Sequence, residues 1–150
     1  MLCNTTVYGR VDADNVGDKL ELYLLRGEVG AAQALHEKVQ SAVQWLQGVL
    51  RDEVGFTILF AGCDDILFQG SREVYDRNRL ERLRGLFRER STVTLSCGVG
   101  PSLEAALKNL LIAKLAGKDR IVDMHDEVAL STTEAQNNRG RQEQPRRLSS

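Results

Sequence analysis

Two short apolar runs that each end in carboxylates, separated by one long amphipathic stripe, restrict this chain more than any other feature. The run Thr6-Val7-Tyr8-Gly9-Arg10-Val11 leads into Asp12-Ala13-Asp14-Asn15-Val16-Gly17-Asp18. About fifty residues later, Phe56 to Phe60 and Ile66 to Phe68 flank Ala61-Gly62-Cys63-Asp64-Asp65. Between them, apolar residues recur at Val29, Ala32, Leu35, Val39, Ala42, Val43, Leu46 and Val49. Those steps of three and four predict a helix ending near Leu50. The short runs read as strands, and Gly62 gives the second pair the backbone freedom of a hairpin turn. If the first strand pairs beside the hairpin, Asp12 and Asp64 come to neighbouring strand ends.

The same reading continues along the chain. Val74, Leu80, Leu83 and Phe87 predict a second helix over about residues 72–90, and Thr92 to Cys97 a strand ending at Gly98. Pro101-Ser102 opens a third helix with Ser102 as N-cap, and Gly117 is its C′ glycine. Arg120 to Asp123 gives a last short strand. The order predicts an α+β fold: a ferredoxin-like βαββαβ core plus a C-terminal helix and strand, an antiparallel sheet with helices on one face. The domain is expected over residues 1–127. Residues 128–150 are rich in Thr, Gln, Asn, Arg and Ser and bury too little apolar surface to offset their ordering entropy, so a disordered polar tail is expected there.

Composition removes several classes. A formal net charge of −1 gives no global attraction to a nucleic-acid polymer or an anionic membrane, so neither is expected as a partner. No apolar run approaches the roughly 20 residues of a spanning helix, and Met1-Leu2-Cys3-Asn4 has no signal-peptide pattern. Cys3, Cys63 and Cys97 form neither a disulfide framework nor a zinc spacing, which points to reduced thiols in the cytoplasm.

Converging carboxylates repel unless a cation lies between them, and hard oxygen donors select Mg²⁺ together with nucleotide phosphates. Two ions roughly 4 Å apart could be shared by Asp12, Asp64, Asp65 and the carbonyl of Ala13. Gly62 would let phosphates approach the backbone closely. The competing reading is that Asp-rich segments are simply turns. In the third helix Leu103, Leu107, Leu110 and Lys114 fall on one stripe, which places Lys114 at the end of a buried face, with Lys118 just after Gly117. Such lysines either complement a helix C-terminus or hold β- and γ-phosphates. Leu111, Ile112 and Leu115 give that helix a second apolar side, a sign of self-association as a dimer or higher oligomer. Seven arginines between Arg72 and Arg90, interleaved with four acids, read as a solvated face, with a subunit contact or product-phosphate site as the alternative. Cys63 reads as a small turn residue, since Mg²⁺ does not select sulfur. His36 and His125 have no catalytic partner in the sequence.

Asp-x-Asp-Asn-Val-Gly at 12–17, Gly-Cys-Asp-Asp at 62–65 and Ala-Lys-Leu-Ala-Gly-Lys at 113–118 resemble the minimal CRISPR polymerase (mCpol) family. Those proteins are stand-alone relatives of type III CRISPR palm domains and GGDEF diguanylate cyclases, and the resemblance covers about residues 5–125. It implies a palm fold, Mg²⁺ (with Mn²⁺ as a substitute), a nucleoside triphosphate substrate and a cyclic nucleotide signal in antiviral defence. By the same resemblance Asp12, Asp64 and Asp65 are the catalytic and metal-binding acids. Asp14, Asn15, Val16, Gly17, Gly62, Cys63, Lys114 and Lys118 are its nucleotide-binding positions. Cys63 stands where the family pattern has a second turn glycine, and no Arg-x-x-Asp inhibitory motif precedes the turn. The spacing that reaches a guanine-reading Asn in GGDEF proteins falls on Leu20, which favours adenine. The expected function is therefore a Mg²⁺-dependent nucleotidyltransferase making a cyclic dinucleotide or short cyclic oligoadenylate from ATP. The alternatives are a catalytically silent nucleotide sensor and an interaction domain using the arginine-rich helix.

Overall fold

A computed structural model describes residues 5–126. The elements are β1 (Thr6–Ala13), α1 (Val16–Leu25), α2 (Val29–Gly48), a π-helical turn (Val49–Val54), β2 (Thr57–Ala61), β3 (Asp65–Ser71), α3 (Arg77–Ser91), β4 (Leu95–Gly100), α4 (Leu103–Leu115) and β5 (Ile121–Val122). The expected polar tail and Cys3 lie outside the described residues.

The sheet has the order β2-β3-β1-β4-β5, antiparallel except where β4 pairs with β5. Side chains alternate along β1, and Val7, Val11 and Ala13 turn inward. They meet Leu35, Val39, Val43, Leu46 and Leu50 from α2 and its π-helical extension, Leu83 and Phe87 from α3, and Leu95, Cys97 and Val99 from β4. The α+β class and the βαββαβ core are as expected, with α2 and α3 on one face.

The appended helix α4 does not share that face. Ser96, Gly98 and Gly100 alternate with the core residues of β4 and so point to the other side. A Cβ on Gly98 would overlap the backbone of Ala106, Asn109 and Leu110 in α4. The helix therefore lies directly on β4, close because glycine leaves it room. Its buried face is Ala106, Asn109, Leu110 and Ala113, and Asn109 Nδ2 donates to the Val99 carbonyl at 2.8 Å. The expected buried stripe is corrected accordingly. Leu103 and Leu107 are exposed, and with Leu111 and Leu115 they form an outward row at steps of four.

Other boundaries moved for identifiable reasons. Helix α1 has only Val16, Leu20 and Tyr23 against the core, while exposed Leu22, Leu24 and Leu25 obscure the period, so the sequence pattern hid it. Helix α3 begins at Arg77 because Asp76 caps it, accepting from the Asn78 N–H at 2.9 Å. Strand β4 starts at Leu95 rather than Thr92, since Thr92 takes a left-handed conformation at the end of α3 (φ 65°). At α4, Ser102 Oγ caps the Ala105 N–H at 3.1 Å and Gly117 has φ 117°, as expected.

Several arginines of α3 are structural anchors. Arg77 reaches Asp123 at 3.2 Å and Asp126 at 2.7 Å, and Arg90 lies 4.3 Å over the Trp45 ring. Asp123 also accepts from Tyr75 Oη at 2.8 Å. Burial pushes its carboxyl upward, but Tyr75, the His125 N–H and Arg77 outweigh that and hold it below the usual range. Among the described residues no helix is long and apolar enough to cross a membrane.

Candidate active site

The site lies where β1 ends beside the β2–β3 turn. Asp12 is the register partner of Asp65, and the Ala13 N–H donates to the Asp64 carbonyl at 2.8 Å. Asp64 thus sits one residue beyond the partner of Asp12, in the turn itself. The Gly62 N–H closes the turn on the Asp65 carbonyl at 2.9 Å, and a Cβ on Gly62 would collide with Asp65 Oδ1. Partial burial, and after it the charges of Asp12 and Asp65, raise the Asp64 carboxyl above its ordinary value, with Lys114 opposing them.

Asp65 has a partner of its own. Arg10 Nη2 lies 2.8 Å from Asp65 Oδ2, so the expected third acid carries its own counter-charge. Arg10 was absent from the sequence-based site. Its place two residues before Asp12 puts both on one face of β1, and that alternation was the available signal.

Lys114, on the last turn of α4, is the cation of the site: Nζ lies 2.5 Å from Asp12 Oδ2 and 3.6 Å from Asp14 Oδ1. Asp14 is almost fully buried and accepts from Thr94 Oγ1 and Ser96 Oγ, both at 2.7 Å, and from the Asp119 N–H at 3.1 Å. Its carboxylate ties β1, β4, α4 and the following loop together. Thr94 and Ser96 were also missed, because nothing local distinguishes them from ordinary strand residues. Replacing Asp14 by alanine is expected to cost about 2–3 kcal/mol in urea unfolding, since the Thr94 and Ser96 hydroxyls and the Asp119 N–H lose their acceptor. Wild-type stability in that variant would contradict the assigned role.

The loop after α4 carries three consecutive left-handed residues, Gly117, Lys118 and Asp119, with φ of 117°, 65° and 50°. Such angles are uncommon outside glycine. They are held by the Lys118 N–H donating to Ala113 at 2.9 Å, by Asp119 on Asp14, and by Arg84, which donates to Asp119. Lys118 Nζ is thereby brought to Asn15 Oδ1 at the start of α1. Asn15 and Gly17 are exposed there, whereas the Val16 side chain is in the core, leaving only its main chain to face a ligand. Gly62 and Cys63 are exposed at the turn. Leu20 packs against the core.

Among the described residues no three His, Cys, Asp or Glu side chains form a ready-made metal cluster. The donors at hand are Asp12, Asp64 and main-chain oxygens. That set is all hard oxygen, and the repulsion at Asp64 is what a divalent cation would relieve. Mg²⁺ is commonly held by one or two carboxylates plus substrate phosphates, so the residues fit it.

The comparisons with known proteins agree with this architecture. Csm1–Csm4 cassettes in complex with pppApA and with AMPPNP superpose with TM-score 0.61 at 15% and 16% identity. Each match covers 77% of this chain and 20% of the other, so the chain spans about a fifth of those proteins. The active GGEEF domain of a diguanylate cyclase from Vibrio cholerae superposes with TM-score 0.52 at 14% identity, covering 79% of this chain and 81% of that domain. The comparison with curated proteins gives no match. At these identities the structures establish the fold, a palm of the CRISPR-polymerase and nucleotide-cyclase kind. The sequence itself matches the minimal CRISPR polymerase domain over residues 8–124, and the chain belongs to the mCpol family.

Proposed function

We propose that this palm is a Mg²⁺-dependent nucleotidyltransferase that joins ATP into a cyclic dinucleotide or short cyclic oligoadenylate, a second messenger in antiviral defence. The observation that carries the reading is the meeting of Asp12 and Asp64 opposite Lys114 on a palm fold. Asp12, Asp64 and the Ala13 carbonyl would hold the metal, with Asp65 beside them. Bound Mg²⁺ supplies charge neutralisation at the phosphates and acidifies a ribose hydroxyl.

The chain's own groups do the rest by positioning. Lys114 and Lys118 contact the β- and γ-phosphates, while Asn15 and the N–H groups of Val16 and Gly17 receive phosphate oxygens at the start of α1. Gly62 and Cys63 let the triphosphate lie along the turn. A 3′- or 2′-oxygen then forms a bond to the α-phosphorus of the second nucleotide as the α–β anhydride bond breaks and pyrophosphate leaves. One palm offers one nucleotide site, so cyclisation needs a second copy facing the first. The Csm1–Csm4 structures with pppApA, AMPPNP and ATP support an adenine nucleotide, as does Leu20 at the guanine-reading position.

The test is incubation with Mg²⁺ and each nucleoside triphosphate separately, with products resolved by mass spectrometry. A cyclic adenylate is expected; absence of phosphodiester product from every triphosphate would remove the proposal. A second reading, a nucleotide sensor without turnover, is favoured by the Arg10–Asp65 ion pair, which engages one of the three acids. It predicts Mg²⁺-dependent ATP binding by calorimetry with no product.

A further inference from the structure

The face of β1 that carries Asp12 also carries Arg10, and the two residues meet Asp65 in different ways. Asp12 lies directly opposite Asp65 in the β1–β3 register, whereas Arg10 is opposite Leu67 and reaches Asp65 on the diagonal. Side chains directly opposite share one side of a sheet with Cβ atoms about 5 Å apart, and like charges there repel. Asp65 relieves that repulsion along the diagonal, its Oδ2 accepting from Arg10 Nη2 at 2.8 Å. Asp12 is met instead by Lys114 Nζ at 2.5 Å. The two counter-ions differ in kind. Lys114 is an ammonium on a flexible stem, able to pass to a phosphate, whereas the guanidinium of Arg10 is planar and holds its fork in one orientation. The Asp65 side chain is 16% exposed and that of Arg10 34%, so water screens the pair only in part. Arg10 Nε is buried and has no acceptor among the described residues. A pair that served stability alone would use both sides of the fork; this one leaves a buried donor unmet, at a cost to the fold.

We propose that Arg10 is a positioning residue that holds Asp65 out of the metal set, so that the nucleotide-free protein offers a divalent cation Asp12 and Asp64 but not the third acid. The inference rests on the metal site of the reading above and holds with or without turnover. A guanidinium on Asp65 supplies as fixed charge what a second ion would otherwise supply. The cation then completes its shell from substrate phosphates, the ligands Mg²⁺ commonly takes beside one or two carboxylates. Metal affinity is therefore low until the triphosphate arrives. The turn motif alone groups Asp65 with the metal ligands; the strand register and Arg10 take it out of that group.

The test is a titration of the nucleotide-free protein with Mn²⁺, read by the paramagnetic resonance of the free ion and competed with Mg²⁺. It compares the wild type with Arg10→Met, Arg10→Lys and the combined variant Arg10→Met, Asp65→Asn. Methionine keeps the apolar stem that packs on the sheet, so Arg10→Met is expected to fold. Arg10→Gln, which keeps a neutral donor toward Asp65, takes its place if it does not. The neutral variant should bind Mn²⁺ about tenfold or more tighter than the wild type, the effect of one released carboxylate charge beside a divalent ion even at the dielectric of water. Arg10→Lys keeps a cation on Asp65, and the combined variant removes both charges, so each should stay within about threefold of the wild type. Equal affinity in the wild type and the neutral variant overturns the inference and leaves the metal site of the nucleotidyltransferase reading intact. A gain that persists in the combined variant also overturns it, because Asp65 would not be its source. Mn²⁺ bound by none of the proteins removes the metal site, and the inference with it.

Discussion

Asp64→Ala is expected to lower nucleotidyl transfer by about a thousandfold or more, roughly 4 kcal/mol of transition-state stabilisation. Of the acids Asp12, Asp64 and Asp65, only Asp65 is held by an arginine, so Asp12 and Asp64 are the charges a cation would draw together. The same change should not cost the fold. Burial and the neighbouring acids raise the Asp64 carboxyl, so its contribution to stability is fully present only below the ordinary aspartate value of about 3.9. That contribution is lost as pH rises through the raised folded value, and at pH 7 the ionised group is a liability. The variant should therefore melt at or above the wild-type temperature at pH 7 and lose that advantage in acid. Activity within tenfold of wild type would show that Asp64 does not carry the chemistry. A folded, inactive protein is the result expected.

Gly98→Val should cost about 4–5 kcal/mol, a large part of the 5–15 kcal/mol typical of a domain. The new side chain would meet backbone atoms of Ala106, Asn109 and Leu110, which cannot rotate out of its way. Helix α4 would have to lift, exposing Leu110 and Ala113 and breaking the bond from Asn109 to Val99. Lys114 would leave Asp12 with the same movement, so any folded fraction should also bind nucleotide weakly. Urea unfolding is the measurement: with a slope of about 1–3 kcal/mol/M, the midpoint should fall by about 1.3 M or more, or the transition should vanish. Gly85→Ala is the matched control. Gly85 is an exposed helical residue with open space around it, and alanine there should stabilise by about 0.5–1 kcal/mol. An unchanged midpoint for Gly98→Val would mean that α4 does not pack on β4 as described.

The sequence pattern carried the core well where one face of an element is buried. Helix α2 and the strand before Asp12 were legible because their buried residues keep a clean period against a single partner surface, and the hairpin because two short apolar runs flank a glycine-containing acidic turn. Helix α1 was not, since its exposed leucines mask three core residues. For α4 the apolar residues misled in the opposite sense. Its leucines at 103, 107, 111 and 115 face outward, while alanines and an asparagine meet the glycines of β4. Small-on-small packing leaves almost no hydropathy signal.

The site divides along similar lines. Asp12, Asp64, Lys114 and Lys118 were visible because charges at the ends of apolar runs are conspicuous. Their supports were not visible, since Arg10, Thr94, Ser96 and Asp119 acquire meaning only through sheet register and loop geometry. Asp14 shows the limit most clearly. It is grouped with the nucleotide-binding positions by motif, yet its side chain is almost fully buried and satisfied by protein donors. The arginine-rich helix is another case, its charges resolving into intrachain anchors at Asp119, Asp123 and Asp126.

Pyrophosphate release from ATP by the wild-type chain, with Mg²⁺ present and then removed by chelation, tests the central claim most directly. Release is expected only with the metal, in proportion to phosphodiester bonds formed in a cyclic adenylate. ATP bound with Mg²⁺ but no pyrophosphate released, with Mn²⁺ giving the same result, would contradict it.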